Sequence, residues 1–298
     1  MTSSQRGSAP AITVDGLRKS YGAFTAVDGI GFEIARGETF ALLGPNGAGK
    51  STTVEILEGY RERSGGEVNV LGTDPHHATL EWKARIGIVL QQTGESGNVS
   101  VREQLTHFAG LYPNPRDVDE VIAAVGLEQK AKTRIRSLSG GQRRRVDVAL
   151  GVIGRPELLF LDEPTTGFDP EARRQFWELI RSLSREGTTI VLTTHYLDEA
   201  AQLSDRAAVI AGGKLIDIGP VDELGSPDAR VPLVRWRDPF DGGRVREQRT
   251  HEPARFVAGL VARHGEPAEL EVIRPSLEDI YLELVGSAEA HTGTENAA

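Results

Sequence analysis

The chain has no cysteine among its 298 residues. Disulfides and thiolate metal sites are therefore excluded, and a reducing compartment is compatible. Long apolar runs are missing as well. No stretch approaches the roughly 18 to 20 residues needed to span a bilayer. No charged-then-apolar leader opens the chain, so export of the chain itself is not expected. Positive charge is in deficit, with 34 Lys and Arg against 43 Asp and Glu and a formal charge of −9. That balance argues against nucleic acid as a partner, because non-specific affinity there comes from clustered positive charge. No internal repeat is visible. What remains is 39 % hydrophobic and 26 % charged, an ordinary soluble globular balance. The length suggests about two domains.

The stretch Gly44-Pro45-Asn46-Gly47-Ala48-Gly49-Lys50-Ser51-Thr52 organises the rest. It fits the phosphate-loop pattern G-x-x-x-x-G-K-[ST]. Residues 38–43 before it read as a short buried strand, and residues 52–58 after it read as the start of a helix. Strand, glycine loop and helix N-terminus together hold a triphosphate. Gly44, Gly47 and Gly49 let the backbone approach phosphate oxygens closely. Successive N–H groups then converge on one anion, aided by the positive end of the helix dipole. Lys50 adds a point charge for the β- and γ-phosphates, and Ser51 offers a hydroxyl to Mg²⁺. The alternative, a plain glycine turn before a helix, leaves the full pattern unexplained.

Around this loop the chain reads in order. Residues 1–10 carry Ser, Gly and Pro and are expected to be disordered. An alternating strand begins at 11–14, 18–22 ends in a turn, and another strand fits 26–34. Another strand fits 67–71. Trp82 and Ile86 suit a short helix leading to a strand over 87–90. Residues 100–126 show two helical patterns separated by Pro113 and Pro115. Residues 140–154 are helical. Leu158-Leu159-Phe160-Leu161 is a continuous apolar run, the mark of a strand buried on both faces. A helix over 170–185, with Pro in its first turn, a β-branched strand over 188–194 and a helix over 196–203 follow. Residues 207–218 read as a hairpin around Gly212-Gly213. Gly225-Ser226-Pro227 looks like a linker. Beyond it, strands near 231–236 and 268–273 and helices over 253–264 and 276–285 suggest a small α+β domain over 225–286. Residues 287–298 are polar and expected to be disordered.

Four further stretches carry chemistry. Leu138-Ser139-Gly140-Gly141-Gln142 is a second glycine turn opening a helix, and by the same dipole argument a second anion site. Asp162-Glu163-Pro164 ends the buried apolar strand. A carboxylate there can hold Mg²⁺, and the next one, pointing elsewhere, can polarise an attacking water. Thr193-Thr194-His195 ends the next strand and offers a donor for a γ-phosphate. Gln91 ends the strand over 87–90, its amide within reach of metal and water. Taken singly these read as turns, a capping or core histidine, and an unremarked glutamine. Their joint order at strand ends favours a site. His76-His77 has no partners at ligand spacing and reads as a surface loop. Arg143-Arg144-Arg145 reads as a solvated face or a packing feature rather than a nucleic-acid site.

With these residues in place, the chain resembles the nucleotide-binding subunits of ATP-binding cassette (ABC) transporters over about residues 11–224. Leu138 to Gln142 matches that family's signature motif letter for letter. The resemblance implies an α/β P-loop NTPase fold. Its parts would be a RecA-like mixed sheet core, an antiparallel β subdomain, a helical subdomain over about 90–155 and the small C-terminal α+β domain. It implies ATP and Mg²⁺ as cofactors. Residues 44–52 are the Walker A loop, and Tyr21 is the aromatic that stacks on adenine. Asp162 closes Walker B and holds the metal with Ser51 and Gln91. Glu163 is the general base, Gln91 the Q-loop glutamine (with Gln92 adjacent) and His195 the switch histidine. Leu138, Ser139, Gly140, Gly141 and Gln142 serve ATP bound by a second subunit. Asp169 belongs to the D-loop, where Phe168 replaces the family's usual Leu and is expected to alter packing across the dimer.

The resemblance also implies partners. One Walker A and one signature per chain require a second cassette, expected to be another copy. A separately encoded integral membrane permease would carry the substrate path, with the helical subdomain docking on it at the cytoplasmic face of the membrane. No nucleic acid is implied. Residues 275–284, Pro-Ser-Leu-Glu-Asp-Ile-Tyr-Leu-Glu-Leu, and residues 165–174 are similar to the drug-, antibiotic- and polysaccharide-export branch. An importer ATPase is the competing reading, against which the C-terminal stretch leans. A soluble cassette ATPase acting on ribosomes or DNA is the other. It lacks support here, because neither tandem cassettes nor long coiled coils occur.

Overall fold

The computed structural model describes residues 9–90, 98–238, 241–265 and 267–295. The chain divides into two compact units, Met1–Val221 and Asp222–Ala298.

In the first unit the elements run in order. β1 (Ile12–Tyr21), β2 (Phe24–Ile34) and β3 (Thr39–Leu43) precede α1 (Lys50–Leu57) and β4 (Gly65–Val70). Then come α2 (Leu80–Lys83), β5 (Ile86–Val89), α3 (Val101–Ala109), α4 (Val118–Ala124) and α5 (Gly140–Ile153). β6 (Leu158–Asp162), α6 (Pro170–Arg185), β7 (Thr189–Thr193), α7 (Leu197–Leu203), β8 (Arg206–Ala211) and β9 (Lys214–Pro220) complete it.

Two sheets form. β2-β1-β4 is antiparallel, and a six-stranded sheet has the order β5-β6-β7-β3-β8-β9. Its first five strands are parallel, and β9 returns antiparallel to β8. β3, β6 and β7 are apolar along nearly their whole length because both faces are covered. One apolar core joins the sheets. It includes Leu17, Ile30, Phe40, Leu57, Phe160 and Ile210. Phe32 stacks on Phe40 with ring centroids 5.6 Å apart. Trp82 is buried in the same core, and its Nε1 donates to Val70 O at 2.8 Å.

The helical part is built from α3, α4 and α5. Each start is fixed locally. Ser100 and Glu103 form a capping box at α3, and Asp117 accepts from Asp119 N and Glu120 N at α4. Pro113 and Pro115 lie in the segment between these two helices. Val101, Leu105, Val121, Ile122, Val146 and Val148 are buried.

The second unit has three strands, β10 (Leu233–Asp238), β11 (Arg244–Arg249) and β12 (Ala268–Ile273), in the order β11-β10-β12. α8 (Pro253–His264) covers them, with Val234, Trp236 and Leu260 as core. α9 (Leu277–Glu295) follows. Ile280 is buried, and a Cβ on Gly225 would meet its Cγ2 at 2.5 Å.

Several sequence expectations need correction. Ile86 opens β5 rather than closing a helix, because it pairs with Leu158 in the parallel ladder. β11 was not expected. Its six residues are all exposed, so Arg-Val-Arg-Glu-Gln-Arg carries no apolar alternation to read. The helix α9 runs past Ser287, where order was expected to end, since Ala288, Glu289 and Ala290 are good helix formers.

Phe160 is fully buried in β6, an interior strand of the larger sheet. Phe160→Ala should cost the first unit about 3 to 5 kcal/mol in denaturant unfolding. A loss below about 1 kcal/mol would contradict the placement of the core at this strand.

Candidate nucleotide site

Strand register assembles the site. Leu42 of β3 pairs with Thr193 of β7, and Thr193 pairs with Asp162 of β6. Three chain segments therefore leave adjacent carboxyl ends together: the glycine loop after β3, the turn after Asp162, and the segment carrying His195. This is where open α/β sheets place ligands.

The loop backbone requires its glycines. Gly44 has φ +155° and Gly49 φ +104°. A Cβ would lie 2.1 Å from Ile210 O at Gly44 and 2.4 Å from Ala26 O at Gly49. Any side chain would displace backbone. α1 begins with no side-chain cap and no acidic residue in its first turn. Its positive end is thus not neutralised by these groups. Lys50 Nζ donates to Gly44 O at 2.7 Å and Pro45 O at 3.0 Å. Burial lowers the Lys50 pKa, while Glu163 and then Asp162 oppose that shift.

The two carboxylates part company as consecutive residues at a strand end must. Asp162 accepts a hydrogen bond from Thr193 Oγ1. Glu163 has φ +45°, a left-handed conformation rare outside glycine. Its N–H donates to Thr193 O at 3.0 Å. Its carboxylate lies 3.3 Å from His195 Nδ1 and accepts from Thr166 Oγ1 at 3.4 Å. Glu58, buried just beyond the end of α1, was not singled out from the sequence. Burial first, then repulsion from Asp162 and Glu55, pushes its pKa up to about 8. A neutral Glu58 keeps one more negative charge away from Asp162.

A cleft of about 720 Å³ gathers Tyr21, Asn46, Gly47, Gly49, Lys50, Ser51, Thr52, Asp162, Glu163 and His195. Gly44, Pro45 and Ala48 complete the loop, with Ala48 buried beneath it. Tyr21 is 41 % exposed, with Lys19 Nζ and the Arg61 guanidinium 5.0 and 5.5 Å from its ring centroid. Phe24, 61 % exposed, lines the same cleft. It pairs with Tyr21 across the β1–β2 turn. The signal was available as a second aromatic three residues on.

Other expected residues lie elsewhere. Gln91 and Gln92 fall outside the described residues. Leu138 is buried, and Ser139 caps α5 reciprocally with Gln142. Neither they nor Gly140 and Gly141 line the cleft. Gln142 and Asp169 border a separate groove of about 940 Å³. Asp169 caps α6 by accepting from Ala172 N at 2.8 Å. Phe168 is buried edge-on to Phe176, 6.0 Å between centroids. Its ring packs within its own chain.

None of Arg143-Arg144-Arg145 is a free solvated cation. Arg143 donates to Leu138 O, Arg145 to Val125 O, and Arg144 is 6 % exposed with its donors on four carbonyls. Burial lowers the pKa of Arg144 against the pull of nearby acids.

Among the oxygen-bearing side chains that line the cleft are the Ser51 hydroxyl and the Asp162 carboxylate. These hard oxygens suit Mg²⁺, which takes one or two protein ligands and completes its shell with phosphate and water. Among the described residues no group of three or more His, Cys, Asp or Glu could hold a metal alone. That sparse set fits a metal brought with a nucleotide. His76 and His77 are exposed.

Comparison with known proteins gives the family and the fold. The family model described as ABC transporter matches residues 27–166. The chain is 38 % identical to Nod factor export ATP-binding protein I of Ralstonia nicotianae, over 94 % of this chain and 95 % of that one. It is 35 % identical to daunorubicin/doxorubicin resistance ATP-binding protein DrrA of Streptomyces peucetius, over 97 % and 96 %. A solved ATP-binding subunit of an ABC transporter superposes with a TM-score of 0.68 at 22 % identity, covering 92 % of this chain and 99 % of that one. That likeness shows the fold.

Glu58 yields a pH prediction. Its folded pKa, about 8, stands above the ordinary 4.5. Between these values the folded chain holds the extra proton. The stability Glu58 contributes is therefore full below the lower value and lost as pH rises through the upper one. Glu58→Gln stays neutral throughout. It should match wild type near about pH 5 and be the more stable protein near about pH 9. Parallel stability–pH curves for the two proteins would refute the shift.

Proposed function

This chain belongs to the ABC transporter family, and from that premise we propose that it is the ATP-hydrolysing subunit of an exporter. It would drive a separate membrane permease through ATP-dependent closure of two subunits. The observation that carries the reading is the single cleft in which the phosphate loop meets Asp162, Glu163 and His195.

Each residue has a task that its position permits. The loop N–H groups and Lys50 hold the β- and γ-phosphates. To do so, Lys50 Nζ exchanges its carbonyl partners for phosphate oxygens. Tyr21 and Phe24 offer faces for the adenine, which stacks without base-specific readout. Ser51 and Asp162 would hold Mg²⁺, together with Gln91, and the ion supplies charge neutralisation for the departing phosphate. Glu163 takes the proton of the attacking water, oriented by its contact with His195.

The signature turn serves the partner. Ser139 and Gly140 are exposed but lie outside the cleft of their own chain. A second copy, presenting the N-terminus of its α5, would complete the site. A groove of about 530 Å³ lined by Tyr60, Ile88, Leu90, Phe108 and Tyr112 offers the permease an apolar seat. No helix among the described residues is long and apolar enough to cross a membrane. A place at the cytoplasmic face of the membrane follows from that partnership. The names of the similar proteins, Nod factor export and daunorubicin/doxorubicin resistance, support export of an amphipathic, antibiotic-like or polymeric molecule over import. The C-terminal unit is assigned to dimer contact or regulation.

The test joins chemistry and partnership. Lys50→Ala should abolish ATP hydrolysis and weaken ATP binding, because the β- and γ-phosphates lose their loop cation. The wild-type chain, expressed in its own cell and purified from mild detergent, should bring an integral membrane protein with it. Wild-type turnover by Lys50→Ala would sink the site. Purification with ribosomes or DNA instead of a membrane protein would sink the transport role.

A further inference from the structure

The buried guanidinium of Arg144 has no role in the mechanism above. It reaches from α5 to the ends of two strands. Nε donates to Pro164 O at 3.1 Å. One terminal nitrogen donates to Asp162 O at 2.6 Å and Glu163 O at 3.2 Å. The other donates to Leu90 O, the last described residue before the segment that carries Gln91. The carbonyls of three consecutive residues, with Glu163 in the middle, therefore converge on one side chain.

This placement has a physical consequence. The chain leaves the sheet after Asp162, the last residue of β6, so carbonyls at this exit that the ladder does not serve need other donors once buried. Glu163 also sits at φ +45°, a backbone state that persists only where its surroundings over-determine it. A planar fork with five fixed donors meets both needs at once. An ammonium, a point charge with three donors on a flexible stem, does not reproduce that spread. The backbone turn aims the Glu163 carboxylate at His195, and Arg144 grips that turn on both sides. Arg144 also stands five residues after Ser139 on the same helix, so the signature turn and the base share one rigid connection.

We propose that Arg144 is a positioning residue that holds Glu163 in its left-handed turn and ties the base to the helix bearing Ser139. The inference rests on the assignment of Glu163 as the general base. Arg144 does not line the nucleotide cleft. It acts on the rate of the chemical step through the direction of the Glu163 carboxylate, and it leaves the phosphate loop untouched.

The test uses the full-length chain as Arg144→Gln, Arg144→Lys, Glu163→Gln and the double variant Arg144→Gln/Glu163→Gln. Arg144→Gln should lower kcat by about 10²-fold, the cost of misplacing a reacting group by about 1 Å, with KM for ATP unchanged. Arg144→Lys should fall between Arg144→Gln and wild type. In the Glu163→Gln background, Arg144→Gln should cause no further loss, because the carboxylate it positions is gone. A general structural role would instead raise KM or slow both backgrounds by the same factor, and either result overturns the proposal. Wild-type kcat in Arg144→Lys overturns it too, and that variant decides the matter should Arg144→Gln fail to fold. Wild-type turnover in Glu163→Gln alone would mean that the base is misassigned. A slow Glu163→Gln beside fully active Arg144 variants would mean that only the positioning role is wrong.

Discussion

The structure depends on the parallel register that sets Leu42, Thr193 and Asp162 side by side. These residues stand at or next to the carboxyl ends of three strands far apart in the sequence, and nothing local connects them. Only the ladder brings the glycine loop, the paired carboxylates and His195 to one edge of the sheet. A slip of one residue in β6 would exchange the faces of Asp162 and Glu163. The apolar character of β3, β6 and β7 is what holds the register, since both faces of each are buried.

Charge at that edge is the second constraint. Lys50 stands opposite two carboxylates and loses part of its basicity to burial. Glu58 is kept protonated near neutral pH by its burial and by Asp162. Arg144 supplies donors to the turn from below while its charge is shielded from solvent. Each group is costly where it sits, and each is compensated by a neighbour in the same small volume. Such mutually dependent ionisable groups mark functional sites more often than structural ones.

Much of this was legible in the sequence, for a physical reason. The phosphate loop, the carboxylate pair and the signature turn are local patterns, in which adjacent residues dictate the geometry. α6 and α8 have the bounds expected, Pro170–Arg185 and Pro253–His264, because proline opens each and an apolar stripe fills it. What escaped was long-range. Arg144 reads as one of three alike cations, and only tertiary packing separates it from Arg143 and Arg145. Glu58 reads as an ordinary helix-end acid. β11 has no apolar face to signal a strand, and its pairing with β10 decides it. The contact of Phe168 with Phe176, eight residues on, likewise comes from packing.

The central claim is that one chain holds half of two ATP sites, with Glu163 as base in one and Ser139 as donor to the other. It is tested most directly by light scattering on Glu163→Gln at saturating ATP and Mg²⁺, with the permease complex as the parallel sample. Losing the carboxylate removes hydrolysis and also removes negative charge near the γ-phosphate, so closure should persist. The account predicts a dimer with ATP, none with ADP, and none when Ser139→Arg is added, although that chain still binds ATP. A chain that hydrolyses ATP at the wild-type rate without Glu163, or that dimerises equally well with ADP, would contradict it.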